Sequence, residues 1–131
     1  MWYKHLYKGE YLYKLYKDIV PLNNVRISGI GIEADESRLK IIFDMPNYAD
    51  FPPHKWEKGC NVAIAEIDFT GVTSLQVEYA GDVCRGDISI DKNAEELLEI
   101  SIKGDLSLHA IADFGMIQRL SAYRALQADE S

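Results

Sequence analysis

The side chains best suited to chemistry are a few carboxylates, three histidines and two cysteines, and their spacing assembles no recognisable centre. Asp44 and Asp50 flank the start of a proline-rich stretch, Pro46 to Gly59, that reads PNYADFPPHKWEKG. Two carboxylates beside a loop can divide general acid and base work between them. With His54 in the same stretch they are the candidates for a hydrolase, yet nothing in the pattern separates them from solvated or turn-forming aspartates. His5, His54 and His109 lie too far apart to act as the paired ligands of an HExxH helix. Cys60 and Cys84 have neither CxxC spacing nor matching histidines, which gives no zinc site; two free, buried thiols in strands or at strand ends are expected instead. The chain has no GxSxG elbow, no phosphate-cradling glycine loop and no GxGxxG before a helix. Gly29-Ile30-Gly31 falls inside a strand pattern and reads as a bulge. No catalytic residue, metal or cofactor is assigned on this basis, and a binding protein is expected in preference to an enzyme.

The 131 residues make one domain, residues 1–131, large enough to bury a core without metals or disulfides. Only the polar end Gln127–Ser131 has a composition that allows disorder. Charge is unevenly spread. Residues 1–18 carry four lysines against Glu10 and Asp18, whereas the rest of the chain carries ten basic against nineteen acidic side chains, for an overall charge of −7. An acidic body repels phosphate backbones, so nucleic acid is not an expected partner, and a basic protein partner would suit it. Met1-Trp2-Tyr3-Lys4-His5 is no apolar leader and no apolar run spans a bilayer, so no membrane partner and a cytoplasmic location are expected.

These side chains must be positioned by one helix and a set of strands. Leu12, Leu15, Tyr16 and Ile19 recur at helical spacing, which predicts a helix over about 9–19 that ends before Pro21. The lysines and tyrosines interleaved in residues 3–17 read as the two faces of that amphipathic helix rather than as a stacking surface for bases. Thereafter the period is two. Val25 and Ile27 change phase at Gly29; Leu39, Ile41, Phe43 and Met45 form the next strand, with Glu33 expected opposite Arg38. Ala63, Ala65, Ile67 and Phe69 share a face, as do Leu75, Val77 and Tyr79. Both sets are odd-numbered, so the simplest link is a three-residue turn, Thr70-Gly71-Val72, closing a hairpin. That hairpin would gather Glu66, Asp68, Gln76 and Glu78 on one outward face, extended by Asp87 and Glu99. Further alternation covers Ile88 to Ala110, with Ser101 expected opposite Ser107 and Glu99 opposite His109; periodicity leaves Met116–Tyr123 as a strand or a short helix. The expected fold is α+β, with the N-terminal helix packed on a curved, predominantly antiparallel sheet of about seven to eight strands over about 24–123, because strands without helical crossovers pair antiparallel. The loop 46–59, with three prolines and three aromatics, is expected to be ordered, with Trp56 against the sheet or helix. A curved sheet could also enclose a small ligand, but Phe43, Phe69, Tyr79 and Phe114, read as inward, argue for a filled interior.

Ile42-Phe43-Asp44-Met45-Pro46, then Tyr48, Pro52-Pro53-His54-Lys55-Trp56 and Gly59-Cys60-Asn61 resemble the immunity protein 50 family, as do the opening Met1-Trp2-Tyr3 and Ser121-Ala122-Tyr123. The Pro-Pro-x-Lys-Trp element, about ten residues past a strand ending in Asp-x-Pro, is the most specific part of the likeness. The resemblance implies an immunity protein that binds and blocks a cognate toxin domain of a bacterial polymorphic-toxin system. It supplies no catalytic residues. It leaves open whether Pro52, Pro53 and Trp56 fold the loop and whether Lys55 touches the toxin. Glu66, Asp68, Gln76, Glu78 and Lys55 are accordingly the expected partner-binding residues, and a small-ligand carrier is the alternative function.

Overall fold

The structure, a computed structural model, describes residues 1–81 and 83–126, which leaves the polar end Gln127–Ser131 outside the described residues. Its main feature is one antiparallel sheet of eight strands with a short helical segment at the N-terminus. The strands are β1 (Leu22–Glu33), β2 (Arg38–Asp44), β3 (Val62–Thr70), β4 (Ser74–Tyr79), β5 (Arg85–Lys92), β6 (Leu98–Gly104), β7 (Leu106–Ala112) and β8 (Phe114–Tyr123). Their order is β4-β7-β6-β5-β1-β2-β3-β8. Residues Met116–Tyr123, left as strand or helix by their periodicity, belong to β8.

The helix is shorter than its apolar stripe predicts. A 3-10 turn, Gly9–Tyr11, runs into α1 (Leu12–Leu15), and Tyr16 is already extended at φ −129° and ψ 138°. The reason is the loop 46–59, which offers better partners to the helix end than another turn would. The Phe51 N–H donates to the Leu15 carbonyl at 2.9 Å, and the Lys17 N–H donates to the Asp50 carboxylate at 2.9 Å. The first bond satisfies a carbonyl that a helix C-terminus otherwise leaves open, and the second ties the amide just past the helix to the loop. Leu12, Leu15 and Tyr16 are still buried, so the stripe marked the core face correctly even where the backbone stopped being helical.

β1 joins the two halves of the sheet. Its first residues pair with β5, from Leu22 opposite Ile88 to Arg26 opposite Arg85. Its later residues pair with β2, with Glu33 opposite Arg38 as expected. The changeover coincides with a bulge between Ile27 and Gly29, where the sequence changes phase. Side chains from both halves fill one core. Phe43 and Phe69 are fully buried, and Trp2 meets Phe43 edge-on at 6.2 Å while its Nε1–H donates to the Val20 carbonyl at 3.1 Å. Tyr79 and Phe114 do not join them: they are 57% and 45% exposed, because β4 and the start of β8 lie at the ends of the strand order, where Phe114 meets only the exposed Tyr7 ring, at 5.9 Å, among the aromatic side chains.

The expected β3–β4 hairpin is not formed. β3 pairs with β2 and β8, and β4 pairs with β7. Gly71-Val72-Thr73 carries the chain from one half of the sheet to the other, beside Asp113, which does the same between β7 and β8. The Asp113 N–H donates to the Thr70 carbonyl at 3.1 Å, and the Thr73 N–H donates to the Ile111 carbonyl at 3.0 Å, so β3-β4 and β7-β8 run together through the crossing. The β6–β7 register also differs from expectation by two residues: Ser101 lies opposite His109, and Glu99 opposite Ile111. β6 reaches on to Gly104, which pairs with Gly86, and the Asp105 carboxylate accepts the Arg85 N–H at 3.1 Å, which draws the turn toward β5. Cys60 and Cys84 are unpaired and half-buried, just outside strands, and burial raises the Cys84 thiol pKa.

Candidate functional site

The acidic residues expected on one face are divided between two surfaces. Glu66 sits between Ile42 and Arg119, and Asp68 between Lys40 and Met116. Gln76 and Glu78 sit on β4 opposite His109 and Ser107, in the other half of the sheet. Glu66 is also compensated: Lys40 Nζ is 3.7 Å from its carboxylate. The single repulsive acidic patch that the hairpin would have made is therefore absent from the described residues. Of the residues expected to extend it, Glu99 bonds to His109 at 2.8 Å and the Asp87 carboxylate accepts the Asn24 N–H at 2.7 Å.

Asp68 is buried, one of its oxygens has no hydrogen-bond partner, and burial raises its carboxyl pKa against the opposing pull of Lys40. A carboxyl raised in the folded state stabilises the fold most below its unfolded pKa, and that contribution is lost as pH rises through the folded pKa. Asp68→Asn should therefore raise the melting temperature at pH 7 by up to about 3 °C. The gain should shrink on acidification through the carboxylate range. A calorimetric pH series with the parent equal to or above the variant at pH 7 would show that Asp68 is held by ion pairing instead.

The hydrolase candidates are engaged in structure. The Asp44 carboxylate accepts the Tyr123 hydroxyl proton at 2.7 Å and lies 3.6 Å from Arg26, tying the end of β2 to the end of β8. Burial, then the bond to Asp44, raises the Tyr123 pKa, so its hydroxyl stays a donor at neutral pH. Asp50 caps the turn after α1, and His54 is exposed on the loop. Among the described residues no group of three or more His, Cys, Asp or Glu side chains is placed to hold a metal ion. No helix among them is long and apolar enough to cross a membrane.

The loop 46–59 does more than cover the core. Trp56 and Tyr48 pack on the core's edge with their rings 5.9 Å apart, and the Tyr16 hydroxyl donates to the Asn47 carbonyl at 2.8 Å. The loop, α1 and β8 then form the three walls of a groove of about 620 Å³. Phe51, Pro53 and Trp56 come from the loop, Leu15 from α1 with Tyr11 of the preceding 3-10 turn, and Ile117–Leu120 from β8. Lys8, Lys14, Lys55 and Arg119 also line it, and no carboxylate does. Lys14 Nζ stands 4.8 Å over the Tyr11 ring. Of the expected site residues, Lys55 alone belongs to this groove. The sequence held two signals for it, the basic N-terminal segment with its interleaved tyrosines and the lysine inside the aromatic, proline-rich loop, but only the fold brings them together.

A family model described as Immunity protein 50 matches residues 9–123. The chain belongs to that family. Comparison with curated proteins and with solved structures gave no match. The span matched by the Immunity protein 50 model runs from the 3-10 turn before α1 to the last residue of β8, and so includes every lining residue of the groove except Lys8.

Proposed function

We propose that this member of the Immunity protein 50 family binds a cognate toxin domain of a bacterial polymorphic-toxin system in the cytoplasm and neutralises it by occlusion, without catalysis. Family membership over residues 9–123 carries this reading. The physical character of the chain supports it. Blocking another protein needs a firm scaffold and a complementary surface, not a reactive group. The interior is occupied by Phe43 and Phe69, which favours a scaffold over a ligand carrier, and the carboxylates nearest the loop are used to join strands and cap a turn. Lys55, Glu66, Gln76 and Glu78 remain candidates for toxin contact, now as residues of separate surfaces, whereas Asp68 is buried.

The test is co-expression with candidate toxin domains, taken from the C-termini of secreted polymorphic toxins whose genes adjoin genes of this family. Growth arrest by one such domain alone, relieved by this chain and not by a chain of another immunity family, is the expected result. Arrest that persists with every one of them, while both proteins are soluble and abundant, would exclude the pairing and the function proposed for it.

A further inference from the structure

From the groove and the strand edge beside it we infer a specific mode of toxin recognition, which rests on the immunity reading: an extended, acidic segment of the toxin lies in the groove along the free edge of β8. Two observations lead there independently. The first is charge. On a chain of net charge −7 the groove gathers Lys8, Lys14, Lys55 and Arg119 without a carboxylate among its lining residues. Arg119 lies opposite Glu66 on β3, but the Glu66 carboxylate pairs with Lys40, and none of the four groove cations has a carboxylate within 4 Å among the described residues. Cations held together in this way repel one another, and an acidic occupant relieves that repulsion and is steered inward as it approaches.

The second observation is the backbone. β8 ends the strand order, with β3 on one side and no strand on the other among the described residues. Its open side is used once by this chain: Tyr7 bridges to Met116 in parallel, through the Tyr7 N–H to the Gly115 carbonyl at 2.8 Å and the Ile117 N–H to the Tyr7 carbonyl at 3.0 Å. The chain then turns away at Gly9 into α1, and the groove opens beyond that bridge, along Ile117–Leu120. An uncovered edge is a template for one more strand. Partners that dock by adding a strand gain affinity from main-chain bonds and selectivity from side-chain pockets. Here the pockets are aromatic, from Tyr11, Phe51 and Trp56, so the segment alternates acidic side chains toward the lysines with apolar ones toward the rings.

The decisive variant is Lys14→Glu with Lys55→Glu, because both side chains are exposed and neither contributes to the core. Binding of the toxin domain that the co-expression test pairs with this chain is measured for the parent, for this double variant and for Glu78→Lys on β4, at low and high salt, with hydrogen exchange of free and bound parent. The double variant should bind at least about tenfold more weakly, mainly through a slower on-rate, and lose most of the parent's salt dependence. Glu78→Lys should bind like the parent, and amides within 118–121 should gain protection in the complex. If the double variant binds as tightly as the parent, the groove is not the docking site although the immunity reading stands. Weakened binding without protection of 118–121 would overturn strand addition, and weakening by Glu78→Lys alone would move the interface to β4. A parent that fails to bind the toxin domain removes both readings, and a single-stranded oligonucleotide that binds the parent but not the double variant would assign the groove to nucleic acid.

Discussion

Tyr16→Ala is expected to lower the free energy of unfolding by about 3–5 kcal/mol, the largest effect of any substitution near the groove. Tyr16 is 1% exposed, so its removal leaves a cavity under the loop 46–59 as well as losing buried apolar area. Its hydroxyl is the link between the end of α1 and the Asn47 carbonyl, and burial raises its pKa so that it stays a donor at neutral pH. Tyr16→Phe isolates that link: it keeps the ring and orphans the carbonyl, for an expected cost of about 1–2 kcal/mol. Both values come from urea denaturation followed by tryptophan fluorescence. A loss below about 1 kcal/mol for the alanine variant would mean that the loop collapses to fill the space. The groove would then be softer than its packing suggests.

Gly104→Ala should cost about 2–3 kcal/mol or prevent folding, although it adds one methyl group to an exposed residue. Gly104 faces Gly86 across β5 and β6, and Gly86 in turn pairs with Val25 of β1. A β-carbon at 104 would overlap the Arg85 carbonyl oxygen and come within 2.5 Å of the Gly86 α-carbon. Both are backbone atoms, so relief requires the strands to part just where β5 hands over to β1. Alanine at Gly31 is the control, because its β-carbon would meet only Lys40 Cβ, at an ordinary 3.6 Å. Equal melting temperatures for the two variants would show that the β5–β6 turn yields without disturbing β1.

The alternation along β2, the bulge at Gly29 and the meander from β5 to β7 follow from local patterning, because each strand there pairs with the next in sequence. The β3–β4 link shows where that logic stops. Apolar residues at 69 and 75 are on one face if an odd-numbered turn joins two strands, and equally if a single strand bends and continues, so parity alone favours neither. The fold takes the second course. Gly71, at φ +65°, passes against the Asp113 side chain, and each half of the bent strand finds its partner in the β7-β8 segment. The acidic face expected from the hairpin was lost with it. The helix was misjudged for a related reason: its stripe reports which residues are buried, while its length was decided by Phe51 and Asp50, more than thirty residues away. Lys55 was legible as a candidate because of its setting in the loop. The helical pattern puts Lys14 off the apolar stripe and leaves Lys8 outside the helix, and nothing local shows that β8 returns beside them.

The central claim is neutralisation by occupancy, and its most direct test is a titration of toxin activity with the purified chain at toxin concentrations well above the dissociation constant. Occupancy predicts that activity falls linearly to zero at a fixed stoichiometric ratio, and that dissociating the complex returns the toxin active and with unchanged mass. Complete inactivation by a small fraction of that amount, or a toxin recovered cleaved or modified, would contradict the account and make this chain an enzyme.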